Sequence, residues 1–433
     1  MTQSCSSSMP PSARFTQLGL MPELVQCLTE LQYSHPTPVQ QQAIPEILAK
    51  KSMMAQAKTG SGKTAAFALP ILQLNMVQKK QTQGNDVSSL ILVPTRELAQ
   101  QVASSIRQYG QKLLPKLKVE AVYGGQSVNT QMLALRGGVD ILVATPGRLL
   151  DLVSSNAIKL RNVKHFILDE ADRMLSLGFS EELAQIQKLL PEKKQILLFS
   201  ATFPEEVKLL ANELLYKPVV INATSDDVQE RLIQRVITVN KNRKTGLLIE
   251  LIKQNQWRQL LIFASAKNTC NRVAQKLSKA GINAEVFHSD KGQGARNRIL
   301  SAFKSGDIDV LIATDIAARG IDIEKLPVVI NYELPRSPMD YMHRIGRSAR
   351  AGESGLAMTL IAHDEYQHFS LIEKKNKLNL TREQIEGFEA DDEAPVDCSS
   401  RQGVAGAKPA GTGKKKRKQA MKANESIWKK PSV

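Results

Sequence analysis

Short, continuous apolar runs alternate with amphipathic stretches through most of this chain. SSLILVP (88–94), VDILVAT (139–145), KHFILDE (164–170) and QILLFSAT (195–202) lack the in-out alternation of a half-buried strand. Each therefore reads as a strand covered on both faces. Helix-like segments such as Arg96–Lys112 and Pro204–Leu215 lie between them. The pattern restarts with RVITVN (235–240), QLLIFA (259–264), AEVFHS (284–289), DVLIATD (309–315) and PVVINYE (327–333). Strands separated by helices predict α/β domains with parallel sheets, here two in succession. The break is expected in KPVVINATSDD (217–227), where Pro, Asn, Ser and Asp gather. The predicted organisation is a first domain over 1–217, a linker over 218–228, a second domain over 229–385 and a tail over 386–433.

At 433 residues and 42% apolar content, the chain has material for two packed cores. Its net charge of +16 suits a polyanionic partner, but the charge is unevenly placed. Residues 401–433 hold ten Lys and Arg against one acid, with KKKRK at 414–418. Residues 386–397 are acidic. A low-hydrophobicity stretch with like charges cannot offset the entropy of ordering, so a disordered tail is expected. That tail either adds salt-sensitive nucleic-acid affinity or serves as a solubilising appendage. Cys5, Cys27, Cys270 and Cys398 lie too far apart for a disulfide scaffold or a zinc site, which predicts reduced thiols and a cytoplasmic protein. The first residues show neither a charged leader nor an apolar core, and no apolar run approaches bilayer length, so a secreted or membrane protein is not expected.

AKTGSGKT (Ala57–Thr64) follows an apolar run and opens a helix-like one. Its glycines let backbone N–H groups approach phosphate oxygens at a helix N-terminus. Lys63 would reach the β- and γ-phosphates, and the Thr64 hydroxyl would join a Mg²⁺ shell. Asp169 and Glu170 end a buried strand in LDEADRML (168–175). There one acid can serve the metal and the other the attacking water. In YMHRIGRSAR (341–350), Arg344, Arg347 and Arg350 recur every three residues. On a helix this spacing puts them on one face, suited to phosphoryl oxygens or to a solvated basic surface.

GSGKT, DEAD, SAT (Ser200–Thr202) and HRIGRxxR in this order resemble the DEAD-box RNA helicases. YSHPTPVQ (33–40), PTREL (94–98), GG (124–125), TPGR (145–148), QGAR (293–296) and ATDIAARGIDI (313–323) extend the resemblance from about Phe15 to Asp364. LRGGVDILVATPGRLLDL and FKSGDIDVLIATDIAARGIDI look most like the bacterial RhlE subgroup. The resemblance implies two tandem RecA-like P-loop domains and RNA-stimulated ATP hydrolysis. It also implies local, non-processive unwinding of short duplexes or remodelling of ribonucleoprotein.

It further implies roles. Gln40 would read the adenine edge, with Tyr33 near the base and Asp322 at the ribose. Ala57, Lys58, Thr59, Gly60, Ser61, Gly62, Lys63 and Thr64 would cradle the phosphates. Thr64 and Asp169 would serve Mg²⁺, and Glu170 the water. Asp172, Ser200 and Thr202 would couple nucleotide state to contacts between lobes, while Arg347 and Arg350 would be arginine fingers. RNA would touch Thr95, Arg96, Gly125, Thr145, Gly147 and Arg148 in the first lobe, and Gln293, Arg296 and Thr314 in the second. Implied partners are RNA, read through backbone and 2′-OH, and ribosomal precursors or RNA-decay machinery; a monomer is expected.

The chain departs from the family at Lys58, usually Gln, at FASAK (263–267) and Ser289, and at Ala349, usually Gly. None of these removes a catalytic group. A rival reading is an ATP-gated RNA clamp or scaffold with little unwinding, against which Glu170 and both fingers argue. A processive DNA translocase fits the DEAD and PTPVQ motifs poorly.

Overall fold

The computed structural model describes residues 14–57, 60–77, 84–223, 232–318, 323, 326–348 and 355–391. Two seven-stranded sheets organise it, and every neighbouring pair of strands is parallel. The first contains β1 (Met53–Gln56), β2 (Val87–Leu92), β3 (Val119–Val122), β4 (Val139–Ala144), β5 (His165–Leu168), β6 (Gln195–Ser200) and β7 (Val219–Asn222). Its order in space is β3-β4-β2-β5-β6-β1-β7. The second contains β8 (Leu232–Thr238), β9 (Leu260–Phe263), β10 (Ala284–Phe287), β11 (Val310–Ala313), β12 (Val328–Asn331), β13 (Gly355–Ile361) and β14 (Arg382–Glu383). Its order, β10-β11-β9-β12-β13-β8-β14, repeats the first position for position, with β8 in the place of β1. These are two tandem RecA-like α/β domains, as expected.

Apolar runs become central strands because both faces are buried. Leu90 and Leu92 of β2 enter one cluster, while Ile91 and the following Val93 enter the other. Phe67, on the helix Lys63–Val77, meets Phe199 of β6 with ring centroids 5.4 Å apart. Burying a side chain of that size contributes about 1.5–3 kcal/mol. In the same sheet, His165 of β5 donates from Nδ1 to Gln195 Oε1 at 2.8 Å. Gln195 Nε2 in turn donates to the carbonyls of Ile47 (3.0 Å) and Lys51 (2.8 Å), pinning the end of the helix Pro38–Leu48.

Two boundaries differ from expectation. Val219–Asn222, expected in the linker, is β7, an edge strand paired with β1. Residues 386–391, expected in the tail, pack on the second lobe. Ile385 and Phe388 adjoin its core, the Arg243 guanidinium lies 5.2 Å from the centre of the Phe388 ring, and Asn240 donates to Asp391. The rest of the predicted tail, 392–433, and residues 224–231 of the linker region lie outside the described residues.

The helix Lys244–Asn255 follows β8 as the helix Lys63–Val77 follows β1, and both open on Lys-Thr. Lys244 is buried, and its Nζ donates to Tyr332 O (3.2 Å), Leu360 O (2.8 Å) and Glu365 Oε2 (2.5 Å).

Candidate functional site

Parallel strands deliver their carboxyl ends, and the helices that follow, to one edge of each sheet. At the first sheet's edge, β1 runs into Ala57, whose N–H donates to Ser200 O at 3.0 Å, and then into the turn before Lys63. Gly60 and Gly62 adopt φ of 73° and 90°. A Cβ on Gly62 would stand 2.4 Å from Gln40 Nε2, so glycine is required by space as well as by conformation. Gln40 is buried; its Nε2 donates to Gly62 O (3.1 Å), and its Oε1 accepts from Thr37 N–H (2.9 Å). In this structure Gln40 thus ties the phosphate loop to the start of its own helix, Nε2 holding Gly62 and Oε1 holding the N-cap Thr37. Tyr33, 40% exposed, stacks edge-on against Tyr109 with hydroxyls 3.2 Å apart. Lys58 and Thr59 lie outside the described residues.

Lys63 is 6% exposed, and its Nζ has no hydrogen-bond partner among the described residues; nor has Ser61 Oγ. A buried, unpaired ammonium beside a glycine turn calls for an anion. A phosphate supplies one, so these residues fit a nucleotide.

Asp169 and Glu170 directly follow β5. Asp169 is buried, its Oδ1 accepts from Glu170 N–H at 3.0 Å, and burial pushes its carboxyl up to about 6 despite Lys63. A desolvated carboxylate of this kind, within the field of Lys63, fits the hard-oxygen chemistry of Mg²⁺, as does the hydroxyl of the half-buried Thr64 that follows Lys63 in the chain. Glu170 enters its helix in the left-handed region (φ 55°, ψ 50°). Burial alone would raise its carboxyl, but Arg173, Lys63 and Arg347 outweigh burial and hold it at about 2.

Asp172, Ser200 and Thr202 meet in one network. Asp172 Oδ2 accepts from Thr202 N–H (2.9 Å) and hydroxyl (2.7 Å), Ser200 Oγ accepts from Asp172 N–H (3.3 Å), and Ser200 donates to Thr202 O (2.7 Å). Thr202 Oγ1 also lies 3.7 Å from Met339 Sδ of the second lobe. Beside it, a small cleft is lined by Glu170, Asp172, Arg173 and Ala201 from the first lobe and by His343 and Arg347 from the second.

Arg344 and Arg347 do not share a helical face. Their helix, Pro338–Ile345, stops before Gly346, and Arg347 follows it into the cleft. Arg344 turns inward, 2% exposed, with paired bonds to Asp315 (2.5 and 2.7 Å) and further bonds to Asn331 and Glu333 O. Arg350, Asp322 and Ala349 lie outside the described residues.

Among the RNA candidates, Thr95 caps the helix Arg96–Tyr109 by accepting from Leu98 N–H, and Thr145 precedes the helix Pro146–Ser154. Two helix N-termini at one sheet edge favour phosphate oxygens. Exposed Arg96 lies across Gly125, where φ is 85° and a Cβ would stand 2.0 Å from Arg96 Nη1. Gly147 has open space around it. Arg148 instead bonds Gln126 O (3.1 Å) and Gln131 Oε1 (3.0 Å). In the second lobe Thr314 is buried at the end of β11. Gln293 and Arg296 are turned from an open face to Glu97 of the first lobe, at 3.3 and 3.0 Å, while Arg296 packs 4.7 Å from the centre of the Phe287 ring. Glu97, Thr37 and Arg173 were missed from sequence, although each sits inside a recognised motif.

An anion-seeking lysine on a glycine turn, an acidic strand end and an arginine arriving from a second RecA-like lobe mark a two-lobed P-loop nucleoside triphosphatase. Comparison with known proteins narrows that class. Residues 37–210 match the DEAD/DEAH box helicase family, and 243–352 the helicase conserved C-terminal domain. The chain is 37% identical over 362 residues to the DEAD-box ATP-dependent RNA helicase RhpA of Helicobacter pylori, covering 83% of this chain and 72% of that one. It is 36% identical over 365 residues to the ATP-dependent RNA helicase CshA of Listeria monocytogenes, covering 84% and 69%. Its structure is similar to S. cerevisiae Dbp5 bound to RNA and ADP BeF3 (TM-score 0.73, 29% identity, 86% and 95% coverage). It is also similar to Mss116 bound to ssRNA and UDP-BeF (TM-score 0.77, 30% identity, 87% and 80% coverage). The chain belongs to the DEAD-box family of ATP-dependent RNA helicases and is an ATP-hydrolysing enzyme. Among the described residues, no helix is long and apolar enough to cross a membrane.

Proposed function

We propose that this helicase hydrolyses ATP in the cleft between its lobes and uses their closure to grip and bend RNA, parting short duplexes without processive travel. One observation carries the reading: Glu170 of the first lobe and Arg347 of the second line the same recess. Each lobe holds part of the chemistry, so turnover waits for both.

In this reading Lys63 and the Ala57–Thr64 backbone hold the phosphates, Tyr33 and Gln40 border the base, and Asp322 meets the ribose. Thr64 and Asp169 would hold Mg²⁺, which would neutralise phosphate charge when bound. Glu170 receives a proton from water as the water oxygen bonds to the γ-phosphorus and the bond to the β-phosphate oxygen breaks. Arg347 and Arg350 meet the charge that spreads over the transferring group, a contribution of about 10³–10⁵ in rate, or roughly 4–7 kcal/mol. Asp172, Ser200 and Thr202 carry the nucleotide's state to the lobe contact.

Dbp5 and Mss116 were solved with RNA and beryllofluoride nucleotides, which supports the same two ligands here. The helix ends at Thr95 and Thr145, with Arg96, Gly125 and Gly147, suit a sugar-phosphate backbone on the first lobe; Thr314 suits it on the second. Arg148, Gln293 and Arg296 then hold that surface in shape. RNA and ATP each favour the closed form, so each raises affinity for the other. The RhlE-like stretches support a place in ribosome assembly or RNA turnover.

Glu170→Gln and Arg347→Ala in the full chain test the reading. Both are expected to lose RNA-stimulated hydrolysis by about 10³-fold or more while still binding ATP. Full RNA-stimulated turnover in Glu170→Gln would make the base assignment wrong.

A further inference from the structure

Arg173 is left out of the chemistry above. It stands one turn beyond Glu170 on the helix Ala171–Ser176 and is 5% exposed. Its Nη1 donates to Glu170 Oε2 at 2.6 Å. Both side chains are buried, at 6% and 11% exposure, so water screens this pair little. Glu170 pays for its place with a left-handed backbone, which costs an ordinary residue roughly 1–2 kcal/mol. A six-residue helix with such an entry is a weak anchor for a mobile side chain. The recess that contains this pair also receives Arg347 from the second lobe. Two guanidiniums therefore converge on one carboxylate, one built into its own helix and one arriving with the other lobe.

We propose that Arg173 is a positioning residue for hydrolysis: by holding one Glu170 oxygen it presents the other to water and keeps the carboxylate from pairing with Arg347. The inference rests on Glu170 as base. Arg173 itself touches no reacting atom. Without it, Glu170 swings between rotamers and captures the finger that should meet the phosphoryl group. The charge of Arg173 and its planar fork both matter, since lysine supplies the charge but not the fixed geometry.

The test compares Arg173→Ala, Arg173→Lys and Glu170→Gln in the full chain. Steady-state kcat and KM for ATP are read with saturating RNA. ATP affinity is read by fluorescence titration, and RNA affinity with ADP–beryllofluoride present. The expected order of kcat is wild type, then Lys, then Ala, with Ala down about tenfold or more. ATP and RNA affinities are expected to stay within about twofold in both Arg173 variants, since the role assigned to Arg173 is to position Glu170 and not to hold either ligand. Unchanged or raised kcat in both variants overturns the inference. So does a fall in kcat matched by equal falls in both affinities, which is what a merely structural role gives. If the Ala variant does not fold, the Lys variant decides alone. A fully active Glu170→Gln removes the underlying reading instead, whatever Arg173 does.

Discussion

Arg296 can grip RNA or it can grip the other lobe, and Glu97 decides which. The two side chains are 10% and 8% exposed with N and O 3.0 Å apart, and Gln293 adds a 3.3 Å bond to the same carboxylate. At an effective dielectric near 20, charges this close attract by about 5–6 kcal/mol. Desolvating both ions takes back several kcal/mol, leaving a net of about 1–2 kcal/mol for the closed form. That corresponds to roughly 5–30-fold in the balance of closed over open lobes. The assay is RNA affinity in ADP–beryllofluoride for Glu97→Ala, Arg296→Ala and the double variant. Each single change should weaken binding roughly 5–30-fold, and the double no further than the worse single. Exchanging the charges, Glu97→Arg with Arg296→Glu, should recover part of the loss. If Arg296→Ala costs as much in the Glu97→Ala background as alone, Arg296 acts on RNA directly and the lobe-lock reasoning is refuted.

Two further outcomes follow from particular contacts. Burial, only partly offset by the Gln195 bond, holds the His165 imidazole down at about 4. An unfolded chain takes up that proton near 6.5, so unfolding becomes easier as pH falls from about 6.5 towards 4. The loss should reach about 2 kcal/mol at pH 5 in denaturant titrations and be largely absent in His165→Gln. Gly62→Ala should lower ATP affinity and destabilise the first lobe by roughly 1–2 kcal/mol, because φ of 90° and Gln40 both oppose a methyl group. Nucleotide titration and thermal melting check this; wild-type values would show that the loop has room to spare.

The double-faced strands were legible because parallel sheets bury both sides: β5 and β6 are buried throughout, and β2 and β4 at every position but Ser88 and Asp140. Val219–Asn222 was not: as an edge strand it buries only Ile221, and its preceding proline reads as a turn. β13 (Gly355–Ile361) is largely buried and apolar, yet it follows the arginine motif and lies outside the apolar runs that read as strands. Nucleotide-loop and acidic residues were legible because their chemistry is local to one turn. The arginine spacing misled because a three-residue repeat implies a face only while the helix lasts, and this helix ends at Ile345. Glu97 was invisible as a partner since nothing in local spacing shows that Arg296, 199 positions later, reaches it. Arg173 sat in plain view at i+3 from Glu170, but such pairs are ordinary on solvated helices and gain weight only through burial.

Two copies of one strand order would ordinarily offer two nucleotide pockets, yet the second half has closed its own. At the spot matching Lys63, the Lys244 ammonium already has a resident anion in Glu365 and two carbonyls, while burial lowers its affinity for a proton. A free phosphate arriving there would have to evict a tethered carboxylate. Each chain should therefore carry a single nucleotide at saturation. What is a socket in the first lobe is a rivet in the second, tying the helix Lys244–Asn255 to Tyr332, Leu360 and Glu365.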